Sequence, residues 1–101
     1  MFRQGDVLVL PVKSIPKSAK PGKRDKGRIV LAYGEVTGHA HAIADKTVGI
    51  FEHEGTRFIR VPKRGAVLRH EEHSAIKLAE GEYEVRIQRE YHPEEIRRVA
   101  D

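Results

Sequence analysis

Apolar residues recur along this chain in short runs with period two, and Gly, Pro and Asp interrupt them every few residues. Val7, Val9 and Pro11 alternate with Leu8, Leu10 and Val12, so the first strand is apolar on both faces and reads as an interior strand. Strands are likewise expected at 28–33, 35–43, 47–51, 57–61, 66–69 and 74–78. Tyr83, Val85 and Ile87 share one face of a last strand over 83–89, with Glu82 and Glu84 on the solvated face. His53-Glu54-Gly55-Thr56, Pro62 to Gly65 and Ala79 to Gly81 read as turns, as does Gly5-Asp6. About eight short strands point to a mainly β fold, a small single-domain barrel or sandwich over residues 1–101.

Two segments break the pattern. Lys13 to Gly27 carries Pro16, Pro21 and Gly22 among lysines, and reads as a long, mobile, basic loop without strand or helix. Residues 93–101 form a tail in which Pro93, Glu94 and Glu95 suit the start of a short helix.

Composition narrows the class. With 101 residues and only six aromatics, none of them Trp, the core must be built from Val, Ile, Leu and Ala. The absence of cysteine excludes disulfides, zinc ribbons and thiol nucleophiles. No apolar run approaches the roughly 20 residues that span a bilayer. The opening Met1 to Asp6 does not read as a signal peptide, so a cytoplasmic protein without a membrane partner is expected.

Charge is segregated more than it is abundant. The net charge is +4, yet residues 13–28 hold seven Lys or Arg against Asp25 alone, and residues 57–69 hold five with no acid. Such segregation attracts a polyanion, and nucleic acid is the usual one. The other reading is a solubilising surface, since no aromatic stands among the lysines to stack on bases.

The chemistry-bearing residues are histidines. In Gly38-His39-Ala40-His41-Ala42, residues i and i+2 of a strand share a face about 7 Å apart, so His39 and His41 project together. The small residues between them point the other way, which suggests close packing behind the strand. Arg69-His70-Glu71-Glu72-His73 brings two more imidazoles and two carboxylates to a strand end. Two chemistries fit. In the first, His39, His41, His70 and His73 supply a general base and a general acid without any required cofactor, and cleave RNA. Arg69, Lys77, Lys20, Lys23 and Arg24 would then hold phosphate. In the second, His39, His41, His70, His73 and Glu71 bind a divalent metal for work on a small molecule. A non-catalytic nucleic-acid-binding module is a third reading. His53 reads as a solvated turn residue, His92 as closing a turn before Pro93, Tyr83 as core or rim, and Tyr91 as structural. Exposed strand edges also allow a homo-oligomer.

The His-x-His pair, Asp45 and a later histidine resemble the cupin metal-binding pattern over residues 34–78. The resemblance implies His39 and His41 as ligands, Asp45 as a third and His70 or His73 as the last. Cupins place a Glu where this chain has Ala44 and Asp45, and space Pro-x-Gly differently from Pro62 to Gly65. The whole chain also resembles small uncharacterised bacterial proteins with an opening Arg-Gln-Gly-Asp-Val strand. They share Thr-Gly-His-x-His, His-Glu-x-His and Gln-Arg-Glu-Tyr, here at 3–7, 37–41, 70–73 and 88–91. That likeness implies no particular activity.

Overall fold

The computed structural model describes residues 1–34 and 38–88. Its strands are β1 (Phe2–Gln4), β2 (Val7–Val12), β3 (Lys20–Pro21), β4 (Ile29–Tyr33), β5 (Ala40–Ile43), β6 (Gly49–His53), β7 (Thr56–Val61), β8 (Ala66–Leu68), β9 (Ile76–Leu78) and β10 (Gly81–Ile87). The mainly β class read from the alternation holds. The helical tail, Tyr91 and His92 lie outside the described residues. Among the described residues, no helix is long and apolar enough to cross a membrane.

Six strands form one antiparallel sheet in the order β1-β2-β10-β7-β6-β3. Among the described residues the sheet is open, with β1 and β3 at its edges, and no barrel closes. As its two-sided apolar pattern required, β2 is an interior strand. The β6–β7 hairpin turns on Glu54 and Gly55, both with positive φ (51° and 81°), the backbone that a two-residue turn between twisted strands needs.

Two smaller antiparallel pairs, β4–β5 and β8–β9, complete the fold. They are joined through Ala42 and Arg69, whose backbone N–H and C=O groups bond reciprocally at 2.9 Å. The core draws Val7, Val9, Ile59 and Val85 from the large sheet and Ile29, Leu31, Ile43, Leu68 and Leu78 from the small ones. The register of β4 slips between Val30 and Ala32, a bulge that takes backbone groups out of the ladder. Arg57 answers it by donating to the carbonyls of Val30 and Leu31.

The segment from Lys13 to Gly27 differs from the loop expected of it. It contains β3, paired with β6, and Ile15 is buried with its N–H donating to Glu82 at 2.8 Å. Arg24 donates to the carbonyls of Gly27, Lys46 and Val48, which ties the segment to the strand-entry turn before β6.

Candidate functional site

The histidine cluster forms where the small sheets meet the β1 edge of the large one. β5 carries His41 and is preceded by His39. The turn between β8 and β9 carries His70 and His73, and the Ala42–Arg69 bridge sets that turn beside β5. The imidazole centroids stand 4.2 Å apart for His41 and His70, 4.7 Å for His70 and His73, 5.6 Å for His39 and His70, and 5.7 Å for His41 and His73. All four rings line one cavity of about 310 Å³.

Two glycines make room for the rings. A Cβ on Gly5, at φ +58°, would stand 2.9 Å from His73 Nε2 and 3.3 Å from His41 Cε1. A Cβ on Gly34 would stand 2.9 Å from His39 Cβ and 3.2 Å from His70 Nε2. Any larger residue at either position would fill the cavity or displace a ring.

Gln4 governs His41. The glutamine is 2% exposed, and its Nε2 donates to the carbonyls of Leu68 (3.1 Å) and Ser74 (2.9 Å). Both amide protons are thereby used, so Oε1 is left as an acceptor. It lies 2.9 Å from His41 Nδ1. The Nδ1 must therefore carry a proton and donate, which places the neutral ring's lone pair on Nε2. His70 is held in the opposite sense, because its Nδ1 accepts the Glu72 N–H at 3.0 Å and its proton belongs on Nε2.

The carboxylates close in from the same turn. Glu71 accepts the Ala40 N–H at 2.9 Å, and that bond, foremost, holds its pKa below the ordinary value. Glu72 stands 3.8 Å from His39 Nδ1. His39, His70 and Glu71 each present one donor atom, and these atoms lie within 4.8 Å of one another. Donors on one metal stand about 3.4 Å apart in a tetrahedral shell with bonds of about 2.1 Å, so small side-chain rotations close the set.

The other candidates are scattered. Arg69 and His70 line a second cavity behind β5, and Lys77 lies with Arg69 and Arg64 in a third. Lys20 is on β3, at the sheet edge opposite β1, and Arg24 is occupied by backbone carbonyls. Asp45, a ligand in the cupin pattern, instead accepts from Thr47 and Arg64. His53, expected in the turn, is instead the last residue of β6 and half-buried, 3.2 Å from Ser18 Oγ. Tyr83 is core, as expected, and donates to the Ala79 carbonyl at 2.7 Å. Tyr33 rims the histidine cavity and bonds Asp25, which raises its pKa. Gln4, Gly5 and Gly34 were not singled out from sequence as site residues. The signal for the glycines was their place at the ends of the strands flanking the cluster.

No curated protein and no solved structure matches the chain. Residues 3–88 match the family model described as a domain of unknown function, DUF8820. That match includes Gln4, both glycines, the four histidines and both glutamates of the turn, and the chain belongs to the DUF8820 family.

Proposed function

We propose that the protein binds a divalent transition metal through His39, His41, His70 and His73, with Glu71 in reach, and presents it to a small molecule in the adjoining space. One observation carries this reading. The cavity that gathers four imidazoles is also lined by Asp6 and Glu72 and, among the described residues, by no Lys or Arg. Such a lining favours a cation and opposes a phosphodiester chain. The buried Gln4–His41 bond fits as well, since a ligating imidazole characteristically gives its other N–H to a fixed acceptor. Imidazole with carboxylate suits Zn, Fe, Ni, Cu or Co, and a set with positions open to solvent is the catalytic form. Ligation through His70 Nε2 moves that ring's proton to Nδ1, where the Glu72 N–H now donates. Metal uptake therefore releases that amide and shifts the turn.

The test is metal content in untagged protein purified without chelators. Stoichiometric metal is expected in the wild type, and none in the His39→Ala, His41→Ala double variant. Metal at 100 times its Kd stabilises by about 2.7 kcal/mol, and 1 kcal/mol moves Tm of a domain this size by about 4–8 °C. A rise of at least about 10 °C on loading is thus expected. Background metal content, with no Tm shift from any of the five ions, refutes the proposal.

The opposite tautomers of His41 and His70 favour a second reading, metal-free acid–base cleavage of RNA. A lone pair on one Nε2 and a proton on the other make a base and an acid whose rings are 4.2 Å apart. End-labelled RNA incubated with EDTA separates the two. Cleavage that survives chelation and is lost in His41→Ala supports this reading, and intact RNA ends it.

A further inference from the structure

The face of β5 opposite the histidines was expected to be closely packed. Ala40 and Ala42 are indeed buried, and together with Ala44 and Ala75 they also border a second cavity of about 460 Å³. It shares His70 and His73 with the cluster's cavity and is lined as well by Glu71, Arg28 and Arg69. Those two arginines differ from the rest. Of the eight arginines among the described residues, Arg3, Arg24, Arg57, Arg60, Arg64 and Arg86 each spend their guanidinium on a carboxylate, an amide or a backbone carbonyl. Among the described residues, Arg28 and Arg69 have no hydrogen-bond or salt-bridge partner for theirs, and both line this one cavity. Placing two guanidiniums on one concave surface costs mutual repulsion, which an anion between them reverses.

We infer that the cavity behind β5 is a binding site for a small oxyanion, a carboxylate or phosphate group held between Arg28 and Arg69, with the ligand's body on the alanine floor and its far end toward His70 and His73. The planar fork of a guanidinium matches both oxyanions in bidentate geometry. The volume suits a small ligand. The methyl floor offers apolar contact and no polar partner, so the body against it is short and apolar. Among the described residues, Glu71 is the one carboxylate in the lining, and its bond to the Ala40 N–H ties it to the β5 backbone. Two guanidiniums against one carboxylate leave the site cationic. The inference deepens the metal reading by naming the class of molecule that would reach the metal, but the arginines carry it whether or not metal is bound.

The experiment is calorimetric titration of untagged protein with inorganic phosphate and with succinate at low salt, metal content being measured on the same samples. Wild type is expected to bind at least one of the two. Affinity is expected to fall at least 10-fold in Arg28→Gln, Arg69→Gln and to stay unchanged in Arg64→Gln, whose guanidinium is already bonded to Asp45. Arg28→Lys, Arg69→Lys keeps the charge and loses the fork, and is expected to fall between them. Its circular dichroism and Tm report whether folding is retained. Binding of phosphate alone identifies a phosphate ester as the source of the anion, and binding of succinate alone a carboxylic acid. Arginine-dependent binding in protein without metal upholds this site while the metal reading falls. Stoichiometric metal with neither anion bound at millimolar concentration overturns this site and leaves the metal reading standing. Wild-type affinity in the double Gln variant overturns it too. So does binding of an oligouridylate with a steep salt dependence when neither small anion binds, which would make the surface a nucleic-acid one.

Discussion

Replacing Gln4 by Leu tests the site's internal logic, because a side chain of similar volume is kept while three hydrogen bonds go. The Leu68 carbonyl and the His41 Nδ1–H lie in buried surroundings, whereas the Ser74 carbonyl is nearer solvent. Each buried group left without a partner costs about 1–3 kcal/mol, so the two cost about 2–6 kcal/mol. Burying Leu instead of an amide returns roughly 2 kcal/mol. A net loss of up to about 4 kcal/mol is expected against a total of roughly 5–15 kcal/mol for a domain. Urea unfolding followed by circular dichroism would read this as a lower midpoint at unchanged slope. Stability alone does not isolate the positioning role, so metal affinity is the second readout, with an expected loss of 10–100-fold. Gln4→Glu separates the two effects: it still accepts from His41 Nδ1 but cannot donate to either carbonyl as a carboxylate. It should lose stability and retain the tautomer, which nitrogen–proton correlation spectra of the imidazoles would show directly. A wild-type His41 that carries its proton on Nε2 refutes the reasoning at its root. So would a Gln4→Leu variant with unchanged stability and unchanged metal affinity.

Two further substitutions probe the surroundings. Gly5→Ala and Gly38→Ala both put a Cβ at positive φ (58° and 89°), a strain of about 1–2 kcal/mol each. Only the Gly5 Cβ meets a ring, so metal affinity should fall in Gly5→Ala and not in Gly38→Ala; equal affinities by titration would deny Gly5 its role in shaping the cavity. Asp45 is lowered from 3.8 to about 2, foremost by the Thr47 hydroxyl and then by Arg64. With the folded-state value depressed, its contribution is fully present above pH 3.8 and disappears as pH falls through about 2. The stability gap between wild type and Asp45→Asn should therefore close over that window, and a gap that persists at pH 2 would contradict the assignment.

The strands legible from their residues are those whose burial alternates, whether their sequence alternates too, as in β10, or is apolar on both faces, as in β2. β2, β4 and β10 show the pattern in their burial, with Val7, Val9, Ile29, Leu31, Tyr83 and Val85 turned inward. β1 and β3 escaped because three and two residues are too few to display a period, and Pro21 argued against a strand. Their pairing is fixed by the neighbouring strand rather than by their own residues. Pro21 is tolerated because β3 is an edge, where a missing N–H costs no ladder bond. β5 is the informative case: all four of its residues are buried, yet its alternation of imidazole and methyl, read as functional face and packed face, divides two cavities.

The cluster itself was legible because imidazoles concentrate in two short segments, although His39 precedes β5 rather than sharing the strand with His41. Gln4 was not, since an amide has no chemistry of its own until another segment supplies its partners. Here they stand 37, 64 and 70 residues away. The basic residues raise the converse problem. Counted along the chain, 13–28 and 57–69 look like surfaces for a polyanion, but charge in sequence is not charge on offer. Arg24 closes a turn, Arg57 satisfies a bulge, Arg60 pairs with Glu82 and Arg64 with Asp45. Each of these guanidiniums already makes an intramolecular bond, and an incoming phosphate would have to share or displace it. Among the described arginines, subtracting them leaves Arg28 in the first run and Arg69 in the second, 41 positions apart in sequence and lining one cavity. The sites of lowest competition, not of highest local density, are where an anion gains most.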